Sequence, residues 1–196
     1  MKYLCLFIGY CFGNFLTAEV VARKCTGKHA AQIGSGNPGM ANIMATVGKK
    51  QGFVVLGGDF LKTVLAFVIS WLIAGDVLKR DVILWSGFGT LLGHNFPIWN
   101  KFWGGKGVAV TCTWLVMFMP LWGTLCCVAG GIVTLVSGYL PLGAVLIALL
   151  AVPAALFTEN NTAAGLMLVS LAIMIYKHRH GLRRIMNGEE ERKFRK

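Results

Sequence analysis

The chain alternates long apolar runs with short polar stretches, and that alternation leaves few folds open to it. A helix crossing a bilayer needs about 20 mostly apolar residues, because within lipid the backbone must satisfy its own hydrogen bonds. Apolar segments occur at roughly 3–21, 52–74, 82–98, 108–124, 125–138, 141–157 and 162–177. These seven predict an all-α integral membrane protein with about seven transmembrane helices, forming a single polytopic domain over 1–196. The middle segments are poorly separated. With glycines at 123, 130, 131 and 138, the stretch Leu121–Gly138 reads either as one kinked span or as a short tilted pair. Residues 3–21 read as a first membrane helix and not as a signal peptide. Only Lys2 precedes the run, and Asn14, Thr17 and Glu19 interrupt it. Glu19, near its end, is expected to reach the interface.

Composition removes the main competitors. Charged residues are 14% of the chain and hydrophobic ones 56%, against about 25% charged in soluble domains. A soluble enzyme does not fit. Six cysteines, four of them (Cys5, Cys11, Cys126, Cys127) in apolar runs and none at CxxC spacing, give neither a disulfide scaffold nor a zinc site. The net charge of +11 does not point to nucleic acid, because the cations gather between apolar segments. Arg23, Lys24, Lys28, Lys49 and Lys50 lie in the first polar segment, and Lys101 and Lys106 in the second. The tail carries Lys177, Arg179, Arg183, Arg184, Arg192, Lys193, Arg195 and Lys196. The intervening loops carry little net charge. The positive-inside rule therefore places these three segments in the cytoplasm, with the N-terminus outside and the C-terminus cytoplasmic. That arrangement requires an odd number of spans.

The same three segments hold the chemistry. The first reads Gly34-Ser35-Gly36-Asn37-Pro38-Gly39-Met40-Ala41-Asn42. Its glycines and proline disfavour a helix interior. It is either a nest of backbone N–H groups suited to an anion or an ordinary tight turn. The second reads Gly93-His94-Asn95-Phe96-Pro97 and then Phe102-Trp103-Gly104-Gly105-Lys106-Gly107. A Walker loop is excluded, since it needs glycine where Asn100 stands and Ser or Thr where Gly107 stands. Glycine amides beside one ammonium still suit a phosphate oxygen. A lone Lys106 otherwise reads as an interfacial cation. The third reads Lys177-His178-Arg179-His180-Gly181-Leu182-Arg183-Arg184, which also fits a basic anchor for anionic lipid. Within the spans, Asp59 and Lys62 at i and i+3 share a helix face and are expected to neutralise each other. There is no Gly-x-Ser-x-Gly elbow. No His is followed five residues later by an acid, since those positions hold Gly34, Trp99, Arg183 and Ile185.

Together, Gly34–Gly39, Gly93-His94-x-Phe96-Pro97 running into Phe102-x-Gly104-Gly105-Lys106-Gly107-Val108-Ala109, and His178-Arg179 with Arg184 and Gly188-x-Glu190 resemble the acyl-phosphate:glycerol-3-phosphate acyltransferase family, the bacterial PlsY enzymes. The resemblance covers essentially the whole chain and includes Asp59-x-x-Lys62. It implies transfer of a fatty acyl group from acyl phosphate to the sn-1 hydroxyl of glycerol 3-phosphate, giving lysophosphatidic acid in the bacterial inner membrane. It also implies no cofactor or metal, and an active site on the cytoplasmic side. Carried over by motif, Lys106, His178 and Ser35 would be catalytic. Gly34, Ser35, Gly36, Asn37, Asn42, His94, Gly104, Gly105, Lys106, His178, Arg179 and Arg184 would bind substrate. His94 would chiefly orient the second loop. Partners would be the two substrates and the bilayer, with no nucleic acid. Ala45 stands where the family carries arginine, Gly181 where it carries asparagine, and Ala144 near an expected serine. One arginine–phosphate contact, about 1.5–3 kcal/mol, is then absent unless Lys49, Lys50 or Arg183 supplies it. Three other readings stand beside this one: a diverged acyltransferase with another acceptor, a non-catalytic lipid-binding paralogue, and a transporter. The last fits least, because transport sites lie near the midplane and this chemistry gathers at one face.

Overall fold

A computed structural model describes residues 1–190 and 192, so Lys193, Arg195 and Lys196 of the basic tail lie outside the described residues. Among the described residues every regular element is helical. These are α1 (Lys2–Gly13), α2 (Thr17–Thr26), α3 (Met40–Thr46), α4 (Lys49–Leu78), α5 (Asp81–Asn95), α6 (Val108–Phe118), α7 (Pro120–Ser137), α8 (Leu140–Thr158) and α9 (Asn161–Met186). Four stretches are long and apolar enough to cross a membrane: Lys2–Thr26 taken across its break, α4, α7 and α8. The α4 surface displays Phe53, Phe60, Leu61, Leu72 and Val77, a face that lipid solvates and water would not.

Each of the seven apolar segments is helical, but several boundaries move for identifiable reasons. The first run breaks at Asn14–Leu16, where the Asn14 amide donates to the Tyr10 carbonyl at 2.6 Å and Leu16 turns extended. The boundary expected at 124/125 falls at Met119. Pro120 lacks the N–H needed to continue α6 but suits the first position of α7. Leu121–Gly138 is then mostly one helix, closed by Gly138 at φ 80°. Met40–Asn42, read as loop, form the first turn of α3. The last helix runs on to Met186, so the third motif is helical.

The chain divides into two compact units, Met1–Trp114 and Leu115–Lys196. In the first, α1 and α5 touch backbone to backbone. A methyl group on Gly9 would overlap the Ser86 carbonyl, and one on Gly13 the Thr90 carbonyl. From the other side, Gly89 meets Leu6 and Gly93 meets Tyr10. Two glycines four residues apart on each helix are the close-packing device of membrane helices, where no hydrophobic force drives association. The Tyr10 hydroxyl ties the same pair by donating to the Phe96 carbonyl at 2.9 Å. Helix α4 takes α3 against Gly52, where Met44 packs, and takes Thr17 of α2 against Gly58. Ala18, Val21, Ala22, Ala30, Ile43 and Val55 close a small core beneath the first loop.

In the second unit α7 and α8 approach through Gly130 and Gly143, each crowded by the other's carbonyl. Helix α9 meets α8 where Gly181 abuts the Pro141 ring. The α9 start is capped by Asn160, whose side chain accepts from the Ala163 N–H at 2.9 Å.

Candidate active site

The first motif is a loop clipped onto α3. Asn42, buried at the start of that helix, accepts from the Ser35 N–H at 2.8 Å and donates to the Ile33 carbonyl at 3.1 Å. Gly34 and Gly36 have φ of 51° and 72°, which lets the chain fold back over this side chain. The Gly36 N–H bonds to Ile33 and the Gly39 N–H to Asn37, both at 2.9 Å. Three amide donors are therefore spent inside a tight turn. What the loop turns outward is Ser35, which is exposed, with Asn37 half-buried beside it.

Glu19 does not reach the interface, contrary to the expectation from sequence. It is buried and accepts from Arg23 at 2.7 Å and from the Ala30 N–H at 2.9 Å, with His29 at 2.6 Å. A buried carboxylate needs such partners. Here the partners anchor the chain that leads into the first loop.

The second motif rests on α5. Gly93 is the packing glycine against α1, and it seats His94 in the interior at 3% exposure. The loop returns over that ring. The Gly105 N–H donates to the His94 carbonyl at 3.0 Å, and any side chain on Gly105 would strike the His94 Nε2. Gly104 is closed by the His94 carbonyl and Pro97. Gly107, at φ 80° against Leu91 and Asn95, can be nothing larger, which is why a Walker Ser or Thr has no place there. Lys106, half-buried, precedes the start of α6 by two residues. An ammonium and the first amides of a helix both raise the positive potential at that point.

Beneath this loop the Asp59–Lys62 pair is present as expected, at 2.8 Å and fully buried. Sequence reasoning did not foresee its third member. Lys62 Nζ lies 2.7 Å from His94 Nδ1, and it also donates to the Phe15 carbonyl at 2.9 Å. The i,i+3 spacing exposed the ion pair, but nothing local could announce a partner 32 residues away.

The third motif lies in the second unit. His178 is buried and its Nδ1 donates to the Met174 carbonyl at 3.0 Å, so the neutral ring keeps Nε2 as an acceptor. Arg179 is exposed, folded over the Tyr176 ring at 4.1 Å and bonded to that residue's carbonyl. Arg184 pairs with Glu190. Ala45 stands exposed on α3, whereas Gly181 and Ala144 are buried.

Known proteins resemble the chain over nearly its whole length. The family model described as Glycerol-3-phosphate acyltransferase matches residues 3–188. The chain belongs to the glycerol-3-phosphate acyltransferase family. A relative of that name from Lactobacillus johnsonii is 44% identical over 117 residues, 60% of this chain and 56% of its own length. Another, from Lactobacillus acidophilus, is 37% identical over 171 residues, 87% of this chain and 81% of its own. The crystal structure of PlsY, an integral membrane glycerol 3-phosphate acyltransferase, in its glycerol 3-phosphate form superposes with a TM-score of 0.85 at 28% identity, covering 97% of this chain and 94% of that one. Its lysophosphatidic acid form gives 0.82. Membership makes this chain an integral membrane acyltransferase of bacterial phospholipid synthesis.

Proposed function

We propose that the chain transfers a fatty acyl group from acyl phosphate to the sn-1 hydroxyl of glycerol 3-phosphate. The observation that carries this reading is the Gly104-Gly105-Lys106-Gly107 loop set at the start of α6, where glycine backbone, one ammonium and a helix N-terminus serve a phosphate. Both substrates carry a phosphate, and glycerol 3-phosphate acyltransferase is the name its relatives bear.

In this reaction the hydroxyl oxygen attacks the acyl carbon, the bond from that carbon to the phosphate oxygen breaks, and inorganic phosphate departs. An acyl phosphate is a mixed anhydride with a good leaving group, so alignment and charge stabilisation suffice without an enzyme nucleophile. Lys106, at the start of α6 with Gly104 beside it, stabilises the charge that grows on the departing phosphate, while Gly105, its N–H spent on the His94 carbonyl, shapes the loop that carries the lysine. Ser35, outward on the first loop, and Asn37 hydrogen-bond substrate. Asn42 serves by holding that loop. His178, whose Nδ1 donates to the Met174 carbonyl, is assigned to receive the hydroxyl proton. Arg179 and Arg184 add positive charge. The seven apolar segments would make seven spans of the bacterial inner membrane, and the charge pattern would put the motifs on the cytoplasmic side.

The test is turnover by purified protein with labelled glycerol 3-phosphate and, in parallel, acyl phosphate, acyl-CoA and acyl carrier protein as donors. Transfer from acyl phosphate alone is expected. Robust transfer from acyl-CoA with none from acyl phosphate would overturn the donor assignment. Activity on a different acceptor only would favour the diverged-enzyme reading, for which Ala45 is the motivating departure.

A further inference from the structure

We propose that Lys62 is a positioning residue for the phosphate loop: held by Asp59 and by the broken end of α1, its ammonium fixes His94 as the tautomer that carries its proton on Nε2, the nitrogen facing Gly105. The inference deepens the acyltransferase reading and rests on it.

An ammonium has three protons and no acceptor. Around Lys62 Nζ stand His94 Nδ1 at 2.7 Å, Asp59 Oδ1 at 2.8 Å and the Phe15 carbonyl at 2.9 Å, with the Gly13 carbonyl farther off at 3.4 Å. Three short acceptors take three protons. Neither the carboxylate nor the carbonyls can donate, so Nδ1 must accept and the ring proton must sit on Nε2. All three side chains are nine-tenths or more buried, which leaves bulk water no part in the choice. The break at Asn14–Leu16 contributes by exposing carbonyls that no helical N–H satisfies and that a cation suits.

The second acceptor in reach sharpens the argument. Asp59 Oδ1 lies 3.6 Å from His94 Nδ1. With the ammonium removed, that carboxylate is an acceptor within reach and draws the proton onto Nδ1. Nε2 would then turn a lone pair toward Gly105. A donor beside the loop reinforces a site for phosphate, and a lone pair opposes it. A hydrogen bond to one ring nitrogen thus decides what the other offers, as it does for histidines that hold metals.

Full-length protein labelled with ¹⁵N-histidine tests this by NMR, with the His94 signals assigned from their loss in His94→Gln. The wild-type ring is expected to show Nε2 protonated and Nδ1 bare. In Lys62→Met the proton should move to Nδ1. Because that variant leaves Asp59 buried without a counter-ion, Asp59→Asn/Lys62→Met is made as well. There both charges vanish together and the ring should populate both tautomers. In each folded variant kcat should fall by about tenfold or more, the scale of one charge-assisted contact, with a smaller change in KM, since Lys62 touches no substrate. A wild-type spectrum with Nδ1 protonated overturns the proposal. So does a tautomer that ignores both variants, or one that shifts while kcat holds. Failure of the wild type to turn over any acyl donor would instead defeat the acyltransferase reading, and the spectra judge the tautomer separately.

Discussion

In the proposed reaction, Lys106 and Ala45 bear on phosphate recognition from opposite directions. One is a cation whose surroundings are built around it, and the other is a place where the family's cation is missing. Removing the first should cost transition-state charge stabilisation. Lys106→Ala is expected to lower kcat on the order of 100-fold, read by steady-state kinetics on acyl phosphate. Supplying the second is sterically free, because Ala45 is exposed on α3. Ala45→Arg should leave the melting temperature unchanged and lower the apparent KM for glycerol 3-phosphate, about tenfold for each 1.4 kcal/mol of binding recovered. A rise in KM would mean another cation already holds that position. The other departure from the family behaves differently. Gly181 abuts Pro141 of α8, so an asparagine side chain has no room there. Gly181→Asn should depress the melting temperature and restore nothing, as thermal denaturation in detergent would show. The sequence shows both departures equally. Only packing separates the one that can be reversed from the one that cannot.

At the scale of elements, the loops depend on side chains whose polar atoms are spent inside the protein. Asn42 spends its amide on the Ser35 N–H and the Ile33 carbonyl. Asn42→Ala strands two backbone groups and should cost about 1–3 kcal/mol, seen as a lowered melting temperature together with a lost turn. Asn160→Ala removes the α9 cap at about 1 kcal/mol, whereas Asn160→Asp should be neutral in the same measurement. The sequence made the helices legible because long apolar runs set off by polar stretches are a strong signal. It made the Asp59–Lys62 pair legible because a helix face repeats every three to four residues. It did not reveal the break at Asn14–Leu16, since a lone asparagine is tolerated in many helices and only the groups around it decide. Glu19 departs from its expected interfacial place for the same reason. A carboxylate near a helix end looks interfacial until Arg23, His29 and the Ala30 N–H converge on it.

For the whole molecule, the proposed orientation rests on charge alone and can be tested without reference to catalysis. Alkaline phosphatase fused to the C-terminus is expected to stay inactive in cells, because that enzyme needs the oxidising exterior. Activity there would reverse the assignment of all three basic segments together. The contact between α1 and α5 has a different reach. On the exposed helix faces a lost or gained carbon can be absorbed when a neighbouring side chain rotates, so sequences can wander there by paired small steps. At Gly9, Gly13, Gly89 and Gly93 there is no carbon to lose, and main chain stands where one would be added. No single-residue path leads away from those four positions without parting the helices, and the seat of His94 would part with them. Across divergent descendants of this protein, the lipid-turned face of α4 should accumulate changes freely, while those four glycines stay as they are.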